Sequence, residues 1–585
     1  MVGPLYDCVG NPLGAVRVTF NKSVTNNPST IDGKEWGAVE VFRHHLFDQS
    51  SLNQQVPIIN ARNVCRIPPK SLVRFRGVIH DMHCKEFYLG AYKDGDVWRT
   101  NKYTDETQNI ELIDANSHDK RLWERTILHC VPIPGINEWA DVSSEESIER
   151  YLASMSLQRD KRARAEMGTI CKELSNDPSD IPSSKKMKEE SCHLSKPSSS
   201  ASLTPELGSY SFPVDPDPFS CIVKVYDSPD GDLKLNEIFE FIGVLEFCSD
   251  SPPENSSSEE DEDMDPISTY YRLPRIHCII HRKLSLKDLV PCSPNPEPNV
   301  TLIRNIRNSL LNHLSNVLGN DELTANFMLL HLLSKTNIHR DNMPIGKLCL
   351  NITCFNGECA SVFGKRLGAT LKSLLPISQT IPLTVEFLNT QSVAPRKDYD
   401  AERMIPGSLN LTDGSHLTFD ETALKSGILN STGGANTQSL MDIVLTQTVE
   451  YDFVYYKLRL PLQVQVLVLS ESKSRHLPAD VVVPFLPRGV AAEVAVEETT
   501  LNTWRWYLAN MRSVNYEIES DVEKVVQDDF VAARQADPTF RVDDLSTWLN
   551  FGRLVAASFG EKKLSLEHWQ FVRELERLRK QRVVA

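Results

Sequence analysis

The stretch LCLNITCFNGECASVFGKRLGATLKSLL, residues 348–375, constrains the fold more than any other part of the chain. Leu348, Leu350 and Ile352 alternate as a strand does, and Val362, Phe363, Leu367 and Leu371 recur at helical spacing, so a strand runs through a short loop into a helix. That is the repeating unit of an α/β domain. It is also the setting of a phosphate-binding loop, in which glycines let backbone amides reach phosphates, a lysine meets the outer ones and a hydroxyl holds magnesium. Here only Gly357 and Ser361 fit. Ala360 stands where the lysine belongs, and Lys365 falls about one turn inside the helix.

The sequence around this unit extends the α/β pattern. Leu310, Leu311, Leu314 and Leu318, then Leu323, Phe327, Leu330 and Leu333, mark two amphipathic helices broken at Gly319. PLTVEFLN (382–389) predicts a strand, GSLNLTDGSHLTFDETALKSG (407–427) two strands about Asp413-Gly414, and QVQVLVLS (463–470) another. The second of these ends in Asp420-Glu421. Paired acids there serve an ATPase, one toward magnesium and the next toward the attacking water, although strands commonly end in exposed acids. Residues 286–496 are thus expected to form an α/β domain. Residues 497–585 read as helical, with Val522, Val525, Val526 and Phe530 on one stripe, and Val542, Leu545, Leu549, Leu564, Trp569 and Phe571 on others. This bundle is either a lid or an independent interaction module.

Upstream the pattern is β. LVRFRGVIHDM (72–82), EFYLGAY (86–92), RTILHCVPIPG (125–135), CIVKVY (221–226), LNEIFEFIGVLEF (235–247) and RIHCII (275–280) are short runs punctuated by turn residues, suiting a small Greek-key barrel of the OB type. Its first part falls in 1–140 and its second in 212–285. Arg74 and Arg76 share one face of a strand, where they either touch a nucleic-acid backbone or are ordinary exposed arginines.

Two stretches cannot bury enough apolar surface to offset ordering entropy. Residues 141–211 are expected to be a disordered linker. Its basic clusters Lys161, Arg162, Arg164 and Lys185, Lys186, Lys188 read either as a nuclear import signal or as solvated linker. Residues 249–265, SDSPPENSSSEEDEDMD, form an acidic loop, read as phosphorylation sites or as a solubilising insertion. No apolar run approaches membrane-span length. The start, MVGPLYDCVGNPLG, lacks the basic and apolar regions of a signal peptide, and the thirteen cysteines never form CxxC, so reduced thiols in a cytosolic or nuclear setting are expected. A formal net charge of −15 disfavours affinity for naked nucleic acid and points to protein partners.

Taken together, LVRFRGVIHDM, CVPIPG, LNEIFEFIGVL, LPRIHCII, LTANFMLLHLLS and LPADVVVPFLP resemble the MCM-binding protein family, in a plant form, over nearly the whole chain outside the two linkers. More remotely, NGECAS is similar to the helicase loop PGTAKS of MCM subunits, and GSLNLTDGSHLTFDE to the helicase segment with the paired acids. The resemblance implies an α+β multidomain protein: an OB-like β-barrel, a degenerate AAA+-like α/β domain and a C-terminal helical lid-like bundle. The departures from the helicase are instructive. The asparagine expected after a core strand falls near Ser470 and Glu471, Asp543 stands near the sensor arginine, and neither an SRFDL-like arginine finger nor a zinc ribbon is present. Asp420 and Glu421 without cations toward the phosphates cannot complete phosphoryl transfer.

The resemblance therefore implies a nuclear, non-catalytic protein without a cofactor or metal. It implies association with MCM helicase subunits in place of one hexamer member, support of their assembly or supply, their release from chromatin during DNA replication, and a role in sister-chromatid cohesion. No membrane association and weak or absent direct DNA binding are expected. The alternatives are a weak ATPase in which Lys365 or Arg366 replaces the missing lysine, and a single-strand DNA binder acting through the barrel. A thiol enzyme built on Cys349, Cys354 and Cys359 is disfavoured because no positioned histidine accompanies them.

Overall fold

The computed structural model describes residues 7–27, 31, 35–48, 55–83, 85–105, 119–141, 149, 219–227, 231–247, 273–291, 299–336, 338–340, 343–400, 403–489, 495–514, 517–518, 520–538 and 540–584. They form a mixed α/β, multidomain protein with several sheets. The basic clusters of 161–188 and the acidic loop 249–265 lie outside the described residues.

Two N-terminal helices come first, α1 (Pro12–Asn26) and α2 (Ala38–Arg43). The Asn11 side chain caps α1, with Pro12 at the first helical position where a missing N–H costs nothing. Seven strands follow: β1 (Leu72–Met82), β2 (Glu86–Asp94), β3 (Val97–Thr100), β4 (Lys120–Pro132), β5 (Cys221–Val225), β6 (Ile238–Glu246) and β7 (Arg275–Lys283). Their order is β1-β6-β7-β5-β4-β2-β3, and an extra pairing of β1 with β4 closes β1, β6, β7, β5 and β4 into a ring. Only the β5–β7 contact in this ring is parallel. Gly243 permits a close approach of β6 to β7, since a Cβ there would lie 2.2 Å from the His277 carbonyl oxygen. Val73, Phe75, Leu128, Val223, Phe239, Phe241 and Ile276 fill one core. Outside the ring, Leu13, Val16, Phe20, Trp36 and Phe42 from the N-terminal segment pack on Tyr88, Trp123, Ile242 and Val244.

Arg74 and Arg76 lie in this wall of the barrel, and neither is an ordinary exposed arginine. Cross-strand register places Arg76 and Arg282 on either side of Glu240. Arg76 Nε donates to Glu240 Oε1 at 2.8 Å, Arg282 Nε to Oε2 at 2.9 Å, and Arg74 lies 3.9 Å away. Glu240 is fully buried, and the side chains of Arg74 and Arg76 are only 13% and 15% exposed. Both arginines are committed to an internal carboxylate rather than displayed toward a phosphate backbone.

The second unit begins with α3 (Val300–Val317) and α4 (Glu322–Leu333). A parallel sheet follows, built from β8 (Leu350–Thr353), β9 (Ser378–Pro382), β12 (His416–Asp420), β15 (Gln465–Leu469) and β16 (Val481–Pro484), in the order β9-β12-β15-β8-β16. A four-stranded sheet beside it holds β10 (Arg396–Asp398), β11 (Arg403–Ile405), β13 (Thr448–Asp452) and β14 (Lys457–Pro461). Helices α5 (Lys365–Leu374), α6 (Val385–Thr390) and α7 (Ser431–Thr446) complete the alternation. PLTVEFLN is not the strand its alternation suggests. Thr384 Oγ1 accepts the Phe387 amide at 3.0 Å and starts α6, while the strand lies just upstream and ends at Pro382. Of the two strands expected about Asp413-Gly414, only the second, β12, forms.

The C-terminal helices are α8 (Glu498–Met511), α9 (Ser520–Ala536), α10 (Val542–Ser558) and α11 (Leu566–Val584). Their buried faces share one continuous core with α3, α4, α5, β8 and β16. In α10 Trp548, Phe551, Leu554 and Val555 are buried and Leu545 and Leu549 pack partly buried against the same core, whereas Val542 is 68% exposed and falls outside the stripe read in the sequence. The barrel is fastened to this unit by the residues after β4. Asn137 Nδ2 donates to the Leu375 carbonyl at 2.7 Å, the Ser378 amide donates to the Gly135 carbonyl at 3.0 Å, and the Arg505 guanidinium stacks 3.9 Å from the Trp139 ring centroid.

Candidate functional site

The carboxyl ends of β12, β15 and β8 lie side by side and form the crevice in which open parallel sheets bind ligands. Beyond β8, Cys354 takes φ +59°, and the amides of Cys354 and Phe355 donate to the carbonyls of Glu471 and Ser470 at 3.1 and 3.0 Å. Phe355 is fully buried, its ring 5.1 Å from that of Phe485, which Phe363 meets at 5.2 Å. An anchored aromatic therefore stands at the head of the loop.

The helix then starts at once. Asn356 Oδ1 accepts the Cys359 amide at 2.8 Å, and the Ala360 amide already donates to the Asn356 carbonyl at 2.8 Å. Free amides at a helix N-terminus are what an anion needs, and here the chain's own cap takes one of them. Ser361 Oγ is turned back onto the Glu358 carbonyl at 2.8 Å. Gly357 is exposed, and a Cβ there would meet nothing within 4 Å. Ala360 opens a π-helical turn, Ala360–Gly364, that joins Gly357–Cys359 to α5, on which Lys365 is exposed.

The paired acids are brought to the same crevice. Asp420 Oδ1 accepts the amide and hydroxyl of Thr422 at 3.0 and 2.6 Å, and Glu421 Oε1 accepts Ser474 Oγ–H at 2.7 Å. The Ser474 amide donates to Asn351 Oδ1 at 3.2 Å, and Asn351 Nδ2 donates to Ser470 Oγ at 2.7 Å. Glu421, Ser474, Asn351 and Ser470 are thus one internal chain of hydrogen bonds. Among the described residues no lysine or arginine forms an ion pair with Asp420 or Glu421. Asn351 escapes sequence reading because its alternation with Leu350 and Ile352 makes it look like a solvent-facing strand residue, yet it is fully buried. Asp543 stands exposed in the first turn of α10.

Burial pushes the Glu421 carboxyl above its usual value, against the hydrogen bond from Ser474 and the nearby His476. A carboxyl raised on folding is favoured in its protonated form, so its contribution is present at low pH and lost as pH rises through the folded value. Glu421→Gln is accordingly expected to raise the thermal midpoint at pH 7.5 by about 1 to 3 °C, with the difference vanishing toward pH 4.5 in thermal scans.

Two other clusters resemble sites. Asp105, Glu246 and His277 place donor atoms within 4.8 Å of one another. Lys224, Arg125 and Arg275 already contact Asp105 at 2.8, 2.8 and 3.1 Å, and this positive charge opposes a metal cation. Cys349 is buried in an apolar cluster, which pushes its thiol well above the ordinary range. Such a thiol is a poor nucleophile. Among the described residues, no helix is long and apolar enough to cross a membrane.

Residues 42–583 match the sequence profile of the mini-chromosome maintenance replisome factor family. The chain is 43% identical to a mini-chromosome maintenance complex-binding protein of Arabidopsis thaliana, over all of both chains. It is 31% identical to the protein of that name from Danio rerio, across 98% of this chain and 97% of that one, and 29% identical to the Homo sapiens protein, across 99% and 98%. A profile match and full-length identity of this extent place the chain in the mini-chromosome maintenance replisome factor family.

Proposed function

We propose that the chain is a non-catalytic binding partner of MCM helicase subunits. The relatives carry the name MCM complex-binding protein, which supports the partner. The observation that carries the non-catalytic half is the helix start at Asn356 to Ser361, closed by its own cap and hydroxyl where a nucleotide would need free amides and a lysine.

The strand order β9-β12-β15-β8-β16, with a loop after β8 and acids after β12, supports reading 286–496 as a degenerate AAA+-like domain, with 497–585 as its lid. The ring in which β1 pairs with β4 and β6, and β5 runs parallel to β7, supports an OB-like barrel across 1–140 and 212–285. On this reading the protein takes the place of one hexamer member through shape. It supports the assembly or supply of the subunits and their release from chromatin, contributes to sister-chromatid cohesion, and acts in the nucleus. The engagement of Arg74 and Arg76 by Glu240 disfavours a single-strand DNA binder, and the capped helix start at Asn356 to Ser361 disfavours a weak ATPase.

The test is a pull-down from nuclear extract with the full chain, with and without ATP. MCM subunits are expected in equal amount in both, and ATP turnover by the purified protein at background. Strict ATP dependence of capture, or turnover abolished by Glu421→Gln, would overturn the reading.

A further inference from the structure

Between the barrel and the α/β unit lies a cleft of about 580 Å³. Ile238, Leu284 and Leu286 form one wall, and Val464, Ala509 and Arg512 contribute to the other. Arg512 is the unusual member. Its Nε donates to the Leu332 carbonyl at 2.7 Å and one Nη to Gln465 Oε1, both uncharged acceptors. Gln465 is itself held by the carbonyls of His331, Leu332 and Ser334 at 2.8, 3.0 and 2.9 Å, so the guanidinium is held on a fixed support. Among the described residues no carboxylate pairs with it.

The acids that line the cleft have other partners. Glu237 receives Lys283 at 2.6 Å, Asp288 receives the Ser285 amide at 2.7 Å, and Asp413 receives the Gln463 amide at 2.9 Å. Enclosure lowers the Arg512 pKa to about 10, the mark of a charge without compensation. Lys287 and Lys335 add positive potential at the cleft. An arginine fork with donors to spare, set in a largely apolar cleft, suits a planar or tetrahedral oxyanion joined to an apolar body.

We propose that this cleft is a binding site for an anionic ligand with an apolar body, whose carboxylate or phosphate group is received by Arg512. The ligand would touch barrel and α/β unit together and so tighten their junction. This goes beyond the binding of helicase subunits and does not depend on it.

The test uses the full chain in thermal-shift and calorimetric titrations with benzoate and with phenyl phosphate, against sodium chloride at matched ionic strength. At least one probe is expected to raise the midpoint in a saturable way, and which one responds separates the carboxylate source from the phosphate source. Arg512→Met is expected to weaken that probe at least tenfold, with a modest drop in its own midpoint because the Leu332 carbonyl and Gln465 Oε1 lose their donor. Ala509→Phe fills the cleft with Arg512 retained, and the same loss is expected there should Arg512→Met fold poorly. A response that survives Ala509→Phe, or no response beyond the chloride control, overturns the proposal.

Discussion

Glu240→Gln is expected to destabilise the barrel by about 3 to 5 kcal/mol, the usual result of removing one member of a buried charge cluster. Burial alone would raise the Glu240 pKa, but Arg76, Arg282 and Arg74 outweigh it and hold the carboxyl below its ordinary value. For a depressed carboxyl the stabilisation is full above the unfolded value and is lost as pH falls through the folded one. Wild type should therefore lose barrel stability below about pH 4.5, and Glu240→Gln should lack that component of the pH profile. Urea titrations followed by near-ultraviolet circular dichroism, to which the buried Trp123 contributes, measure both. A change below about 1 kcal/mol would mean that water, not Glu240, satisfies the arginines.

Phe355→Ala should cost a similar amount, about 3 to 5 kcal/mol, because a fully buried ring packed on Phe485 leaves a cavity at the loop. The companion experiment is Ala360→Lys, which restores the missing cation alone. It is expected to leave the protein unable to bind a fluorescent ATP analogue at micromolar concentration, since the anchored Phe355 and the Asn356 cap keep the loop closed. Micromolar binding by Ala360→Lys would show that only the charge is missing.

These two sites differ in how far the sequence reveals them. The loop was legible because everything that defines it is local: alternation before it, helical spacing after it, and Ala360 in the place of a lysine. Its sealing was less so, since Asn356 looks like any polar loop residue until it caps the helix. Glu240 was hidden for another reason. It lies 164 positions from Arg76, in a strand whose remaining residues are apolar apart from Glu246 at its end, and only the closed ring makes them neighbours. Local chemistry likewise decides PLTVEFLN, where the Thr384 cap overrides apparent alternation. On α10 the spacing places Leu545 and Leu549 against the core, but Val542 falls in the first turn beside Asp543 and Asp544 and stays exposed while Trp548 is buried.

The order in which the barrel strands leave the ribosome sets a timing problem. β1 pairs with β4, made soon after it, and also with β6, while the ring closes only when β7 arrives to join β5 and β6. At roughly 5 to 20 residues per second, the roughly 190 residues between the end of β1 and the start of β7 take on the order of 10 to 40 s to synthesise. Within that interval β1 first waits for β6, and β5 and β6 then wait as sheet edges for β7, the condition under which strands pair with other chains. Nascent chains stalled before Arg275 should consequently be chaperone clients, and those released past Lys283 should not.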